Sequence, residues 1–129
     1  MISLIVDDEL VSRKKMIQIL SGFGQCDSVK NGKAAVSVIK TAIEEKTPYD
    51  LVTLDVSMPD INGVKVLAMI REMEKDAGIE TESKTRILMV TSHSDMDTVK
   101  ACAGKCDGYI VKPFDKDLMV DKMTRLNLL

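Results

Sequence analysis

The chain has 129 residues, of which 45% are hydrophobic, 29% charged and 3% aromatic, within the range of one globular domain. A chain of this size buries roughly two-thirds of its unfolded surface, so its core needs neither metal nor disulfide to hold it. Eighteen Lys and Arg against twenty Asp and Glu leave a formal net charge of −2, which argues against direct nucleic-acid binding.

The apolar stretches run only a few residues, far below the ~20 that span a bilayer, and Asp7 comes too early for a signal peptide. A cytoplasmic protein without membrane contact is expected. Cys26, Cys102 and Cys106 are odd in number and lack metal-finger spacing. Cys102 and Cys106 fall four apart on an expected helix, and all three read as reduced, partly buried thiols.

Ile2 to Val6 is a short apolar run ending in Asp7-Asp8-Glu9, a buried strand with acid at its carboxyl end. A helix follows, with Leu10, Met16, Ile17, Leu20 and Phe23 as its apolar stripe and Gly22 and Gly24 at its end. Cys26 to Val29 is a weak second strand. After Asn31-Gly32, residues Ala35, Val38, Ile39, Ala42 and Ile43 repeat at helical spacing up to a stop at Pro48. Leu51 to Leu54 is the third strand and again ends in acid, at Asp55, before the turn-rich segment Ser57 to Gly63.

Val66, Leu67, Ile70 and Met73 mark the next helix, whose polar tail, Glu72 to Thr85, reads as a solvated connection. Ile87 to Val90 is strand four, ending at Thr91, and Ser94 is the expected N-cap of a helix running to about Ala103. Tyr109 to Val111 is strand five, ending at Lys112-Pro113, and Leu118, Met119, Lys122, Met123 and Leu126 carry the last helix. Five strands each followed by a helix imply a doubly wound α/β domain, with parallel strands, right-handed crossovers and helices on both faces.

In such a sheet the functional crevice lies at the carboxyl ends of the strands, where Asp7, Asp8, Asp55, Thr91 and Lys112 then meet. Three carboxylates brought together repel one another, and Mg²⁺, which takes one or two carboxylates and completes its shell with water and phosphate oxygens, relieves that repulsion. A hydroxyl and an ammonium on the facing strands suit an anion held beside the metal. Metal, hydroxyl, ammonium and a carboxylate nucleophile are the set that phosphoryl transfer onto Asp55 requires. Each residue also has a plainer reading: for Asp8, helix capping stays open; Thr91 and Lys112 taken singly are ordinary strand-end chemistry.

Val6-Asp7-Asp8-Glu9, Leu54-Asp55-Val56-Ser57-Met58-Pro59-Asp60 with Asn62-Gly63, Thr91-Ser92 and Lys112-Pro113-Phe114 together resemble the receiver domain of bacterial response regulators, the CheY-like modules of two-component signalling. The resemblance spans residues 1–129 as one domain and implies the flavodoxin-like strand order 2-1-3-4-5. It further implies Asp55 as phosphoacceptor, Asp8, Asp55 and the Ser57 carbonyl as Mg²⁺ ligands, and Asp7 as a ligand through water. Thr91 would bond the phosphoryl group, Lys112 would pair with it across a cis bond to Pro113, and Tyr109 would be the switch aromatic. Ser57 and His93 match positions that tune phosphoryl lifetime.

The function so implied is a phosphorylation-gated switch, not a turnover enzyme. It would be fed by a histidine kinase or phosphotransfer protein and read by an unidentified downstream protein, as a monomer or weak dimer, either free-standing or within a larger regulator. A haloacid-dehalogenase-type phosphatase would need a second Asp where Ser57 stands. A degenerate, unphosphorylated scaffold would not be expected to keep Asp7, Asp8, Asp55, Thr91 and Lys112 together.

Overall fold

The computed structural model describes residues 1–129. Five strands, β1 (Ile2–Val6), β2 (Gln25–Val29), β3 (Leu51–Asp55), β4 (Arg86–Thr91) and β5 (Gly108–Val111), form one parallel sheet in the order β2-β1-β3-β4-β5. The connecting helices are α1 (Leu10–Leu20), α2 (Gly32–Glu44), α3 (Gly63–Asp76), α4 (Met96–Lys100) and α5 (Lys116–Arg125). The central strands are apolar on both faces because side chains alternate across a strand and both faces are covered. Leu4, Val6, Val52, Leu54, Ile87 and Met89 pack with α2, α3 and α4, whereas Ile5, Leu51, Leu88, Val90 and Ile110 pack with α1 and α5.

Several helix ends differ from the sequence expectation. Leu10 lies 53% exposed, off the inward face; Met16 and Leu20 are buried as expected, Ile19 joins them, and Ile17 and Phe23 pack half-buried against the same cluster. The α2 helix ends at Glu44 with Lys46 in the left-handed region (φ 58°), before Pro48 is reached. Ser94 does not cap α4. It sits inside a 3₁₀ turn, His93–Asp95, and α4 itself is five residues long, giving way to turns from Ala101 onward. Cys102 and Cys106 therefore lie beyond the helix, although the Cys106 N–H still donates to the Cys102 carbonyl.

The polar tail is more than a solvated connection. Glu74 is buried, and its carboxylate accepts from the Thr85 N–H (2.9 Å) and the Arg71 guanidinium (2.7 Å). The same guanidinium donates to the Thr85 and Lys105 carbonyls and to Asp107 (2.9 Å), whose carboxylate also accepts from the Ile87 N–H. One buried ion pair thus closes the amino-terminal ends of β4 and β5 against α3. Its donors and acceptors are matched, as burial of charge requires.

Candidate functional site

Asp7 follows β1, Asp55 ends β3, Thr91 ends β4 and Lys112 follows β5, so parallel pairing delivers all four to the carboxyl edge of the sheet. Two local devices hold the acceptor loop. Asn62 caps α3 by accepting from the Lys65 N–H, and the Gly63 N–H donates to the Val56 carbonyl at 2.7 Å. A Cβ at position 63 would overlap the Asp55 carbonyl oxygen, so glycine alone allows the helix to start this close. The Asp60 carboxylate accepts from the Gly32 and Lys33 N–H groups, tying the same loop to the start of α2. Those amides, that of Lys33 foremost, hold its pKa at about 2.

Carboxylate oxygens of Asp7, Asp8 and Asp55 lie within 4.8 Å of one another. The Lys112 ammonium stands 3.3 Å from Asp7 Oδ2 and 3.7 Å from Asp55 Oδ2. Asp7 is further fixed through the Glu9 N–H on its Oδ1 (2.9 Å) and the Arg13 guanidinium on its carbonyl (2.8 Å). Ser57 donates its N–H to Asp55 Oδ1 at 3.3 Å. Asp7 and Asp55 are buried whereas Asp8 is exposed, and the residue preceding α1 is Glu9, so Asp8 does not cap that helix.

Burial raises the Asp55 pKa to about 7; Lys112 opposes the rise, and the neighbouring Asp7 and Asp8 add to it. Burial alone would lower the Lys112 pKa, but the Asp55 and Asp7 carboxylates outweigh it and the pKa is raised. An acid cluster with one ammonium is short of positive charge. Three hard oxygen donors that close together, one of them open to solvent, fit a small divalent cation with retained waters.

Thr91 is buried at the edge of this cluster, its hydroxyl donating to the Ser92 carbonyl. Lys112 follows the neighbouring strand β5, its N–H donating to the Thr91 carbonyl, and the Lys112–Pro113 bond is cis. Tyr109 faces outward at 36% exposure beside the Lys122 ammonium, 5.4 Å from its ring. Ser57 lines the cleft of about 410 Å³ that opens over Asp55, together with Asp8, Glu9, Ser92, Asp95 and Lys112. His93 is exposed and does not line it. The residue of that turn that does is Asp95, which sequence reasoning passed over; its position four residues after Thr91, within the first turn of the following helical segment, was the available signal.

Comparison with known proteins agrees with the sheet order. The response regulator receiver domain family matches residues 3–124. A probable histidine kinase 6 of Oryza sativa is 30% identical over 95% of this chain and 14% of its own length. An uncharacterized response regulatory protein of Shewanella oneidensis is 29% identical over 95% of this chain and 47% of its own. The chain thus spans less than half the length of these two relatives. Among solved structures, a chain of the CheX-CheY-BeF3-Mg²⁺ complex of Borrelia burgdorferi superposes with a TM-score of 0.81 at 29% identity, covering 98% of this chain and 88% of that one. Sheet order 2-1-3-4-5, an acid cluster and facing Thr and Lys at its carboxyl edge, and a family match over nearly the whole length lead to one conclusion: the chain belongs to the response regulator receiver domains of two-component signalling.

Proposed function

We propose that residues 1–129 act as one phosphorylation-gated switch in which Asp55 accepts a phosphoryl group from a histidine kinase or phosphotransfer protein. The observation that carries this reading is the buried Asp55 carboxylate, flanked by Asp7, Asp8 and the Lys112 ammonium and lining a polar cleft. In the transfer, the P–N bond of a donor phosphohistidine breaks as a P–O bond to an Asp55 Oδ forms. Lys112 moves from pairing with a carboxylate to pairing with phosphoryl oxygens, and the Thr91 hydroxyl leaves the Ser92 carbonyl for the same anion.

Asp8, Asp55 and the Ser57 carbonyl would hold Mg²⁺ directly and Asp7 would hold it through water. When bound, the ion neutralises the carboxylates and the phosphoryl oxygens. Lys112 favours the ionised, nucleophilic form of Asp55 against the burial and the neighbouring carboxylates that raise its pKa to about 7. The movement of Thr91 opens room for Tyr109 to turn inward, which changes the face formed by α4, β5 and α5, where a downstream protein would bind. The anion favours one of two arrangements, and that differential stabilisation is what a switch requires. The switch acts on its own Asp55, without turnover of a separate substrate, in the cytoplasm, as a monomer or weak dimer. Ser57 at the cleft and His93 outside it are the positions that set phosphoryl lifetime by the family pattern.

Incubation with acetyl phosphate and Mg²⁺ is expected to add one labile phosphoryl group to the chain and none to Asp55→Asn. Full labelling of that variant would refute the assignment.

A further inference from the structure

Resting on the reading of Asp55 as acceptor, we infer that Asp95 is a positioning residue that shortens the life of the phosphorylated state by charge repulsion across the cleft. The Asp95 carboxylate lines the same space of about 410 Å³ as Asp55, Ser57 and Lys112. It is half-buried at the end of the 3₁₀ turn, where the Ser92 hydroxyl donates to it at 3.2 Å. It lies outside the group of carboxylates close enough to share a cation, which is Asp7, Asp8 and Asp55. Nor does a cation compensate it, because the ammonium in the cleft, Lys112, lies against Asp7 and Asp55. Asp95 is therefore left facing whatever anion Asp55 carries, with no part in binding the metal.

An aspartyl phosphate at Asp55 is a dianion whose outer oxygens point into this cleft. In its hydrolysis the P–O bond to Asp55 breaks, a water oxygen bonds to phosphorus, and the products are the Asp55 carboxylate and dihydrogen phosphate, so protons and charge balance without a further reactant. The transition state is loose and moves charge from the outer oxygens toward the leaving Asp55 oxygen. That shift carries negative charge away from Asp95. Repulsion is greater in the ground state than in the transition state, and loss of phosphate is accelerated. The same carboxylate opposes the approach of an anionic phosphoryl donor, so acquisition is slowed. Both effects arise from unit charges that share one partly solvated cleft, and each is expected to be about threefold at low salt and to shrink as salt rises.

The test compares wild type, Asp95→Asn, Asp95→Glu and Asp97→Asn, each with Mg²⁺ and acetyl phosphate at low and high ionic strength. Asn keeps the acceptor for the Ser92 hydroxyl while losing the charge, Glu keeps the charge, and Asp97→Asn makes the same change of net charge at an exposed position outside the cleft. Expected for Asp95→Asn are faster uptake and a longer phosphoryl half-life, each by about threefold at low salt and by much less near 1 M. The Glu and Asp97→Asn variants should follow wild type. Wild type that takes up phosphate while Asp95→Asn shows unaltered rates, or altered rates indifferent to salt, would overturn the inference and leave the acceptor assignment standing. Wild type that takes up none would overturn both.

Discussion

Replacing Asp55 by Asn should make the folded protein more stable at neutral pH and remove most of a pH dependence that the wild type shows. Burial among carboxylates raises the Asp55 pKa from 3.8 to about 7 in the folded chain. Between those values the native state binds a proton that the unfolded chain has released, so the contribution of Asp55 to stability is greatest below pH ~4 and falls as pH rises toward 7. At ~1.4 kcal/mol for each pH unit, the gap of about three units sets a ceiling near 4 kcal/mol. Access of solvent through the cleft and the loss of a Lys112 partner in the variant reduce the expected difference to roughly 2 kcal/mol at pH 7.5. Urea unfolding of both proteins at several pH values between 4 and 8, without divalent ions, measures it. Mg²⁺ added to the wild type should recover part of the deficit by binding the native state alone. Parallel stability curves for the two proteins, with no gap opening above pH 5, would refute the account of Asp55 as a strained carboxylate.

Calorimetric titration should show weak Mg²⁺ binding that Asp8→Ala reduces at least tenfold, because the variant loses both a ligand and a charge; unchanged affinity would leave Asp8 without a role. Gly63→Ala forces a methyl group onto the Asp55 carbonyl and should cost about 2 kcal/mol or more in urea unfolding, with slower phosphorylation where the chain still folds. Glu74→Ala leaves the Arg71 guanidinium and the Thr85 N–H without their buried acceptor and should cost about 3 kcal/mol in the same assay.

Legibility in the sequence followed the range of the interactions. Asp7, Asp55, Thr91 and Lys112 could be placed because each stands at the end of an apolar run, and parallel topology then requires that such ends meet. Leu10 was misplaced because helical periodicity fixes the spacing of a stripe but not where the stripe begins. The bond from Arg71 to Asp107 joins residues 36 apart in sequence, and no local pattern announces it. The sequence named His93, but in the 3₁₀ turn His93–Asp95 it is Asp95 that lines the cleft, and with α4 beginning only at Met96 Ser94 is left off the cap position. Short turns are set by tertiary context more than by propensity.

The Arg71 clamp gives the fourth crossover an asymmetric mounting. At one end, Lys105 and Asp107 are bolted to α3 through a guanidinium that is largely shielded from water; at the other, the chain leaves β4 through the Ser92–Asp95 turn, where the Ser92 hydroxyl's bonds to Ser94 and Asp95 are exposed. Between them α4 has five residues and rests on the sheet face through Val99, with Cys102 packed just beyond its end. A beam fixed at one end swings from the other. Movement begun at the cleft would therefore be expressed as rotation about the Lys105–Asp107 anchor, with Tyr109 one step past the hinge. Hydrogen exchange would record this as a gradient, fastest in the turn before α4 and slowest at the amides of β5.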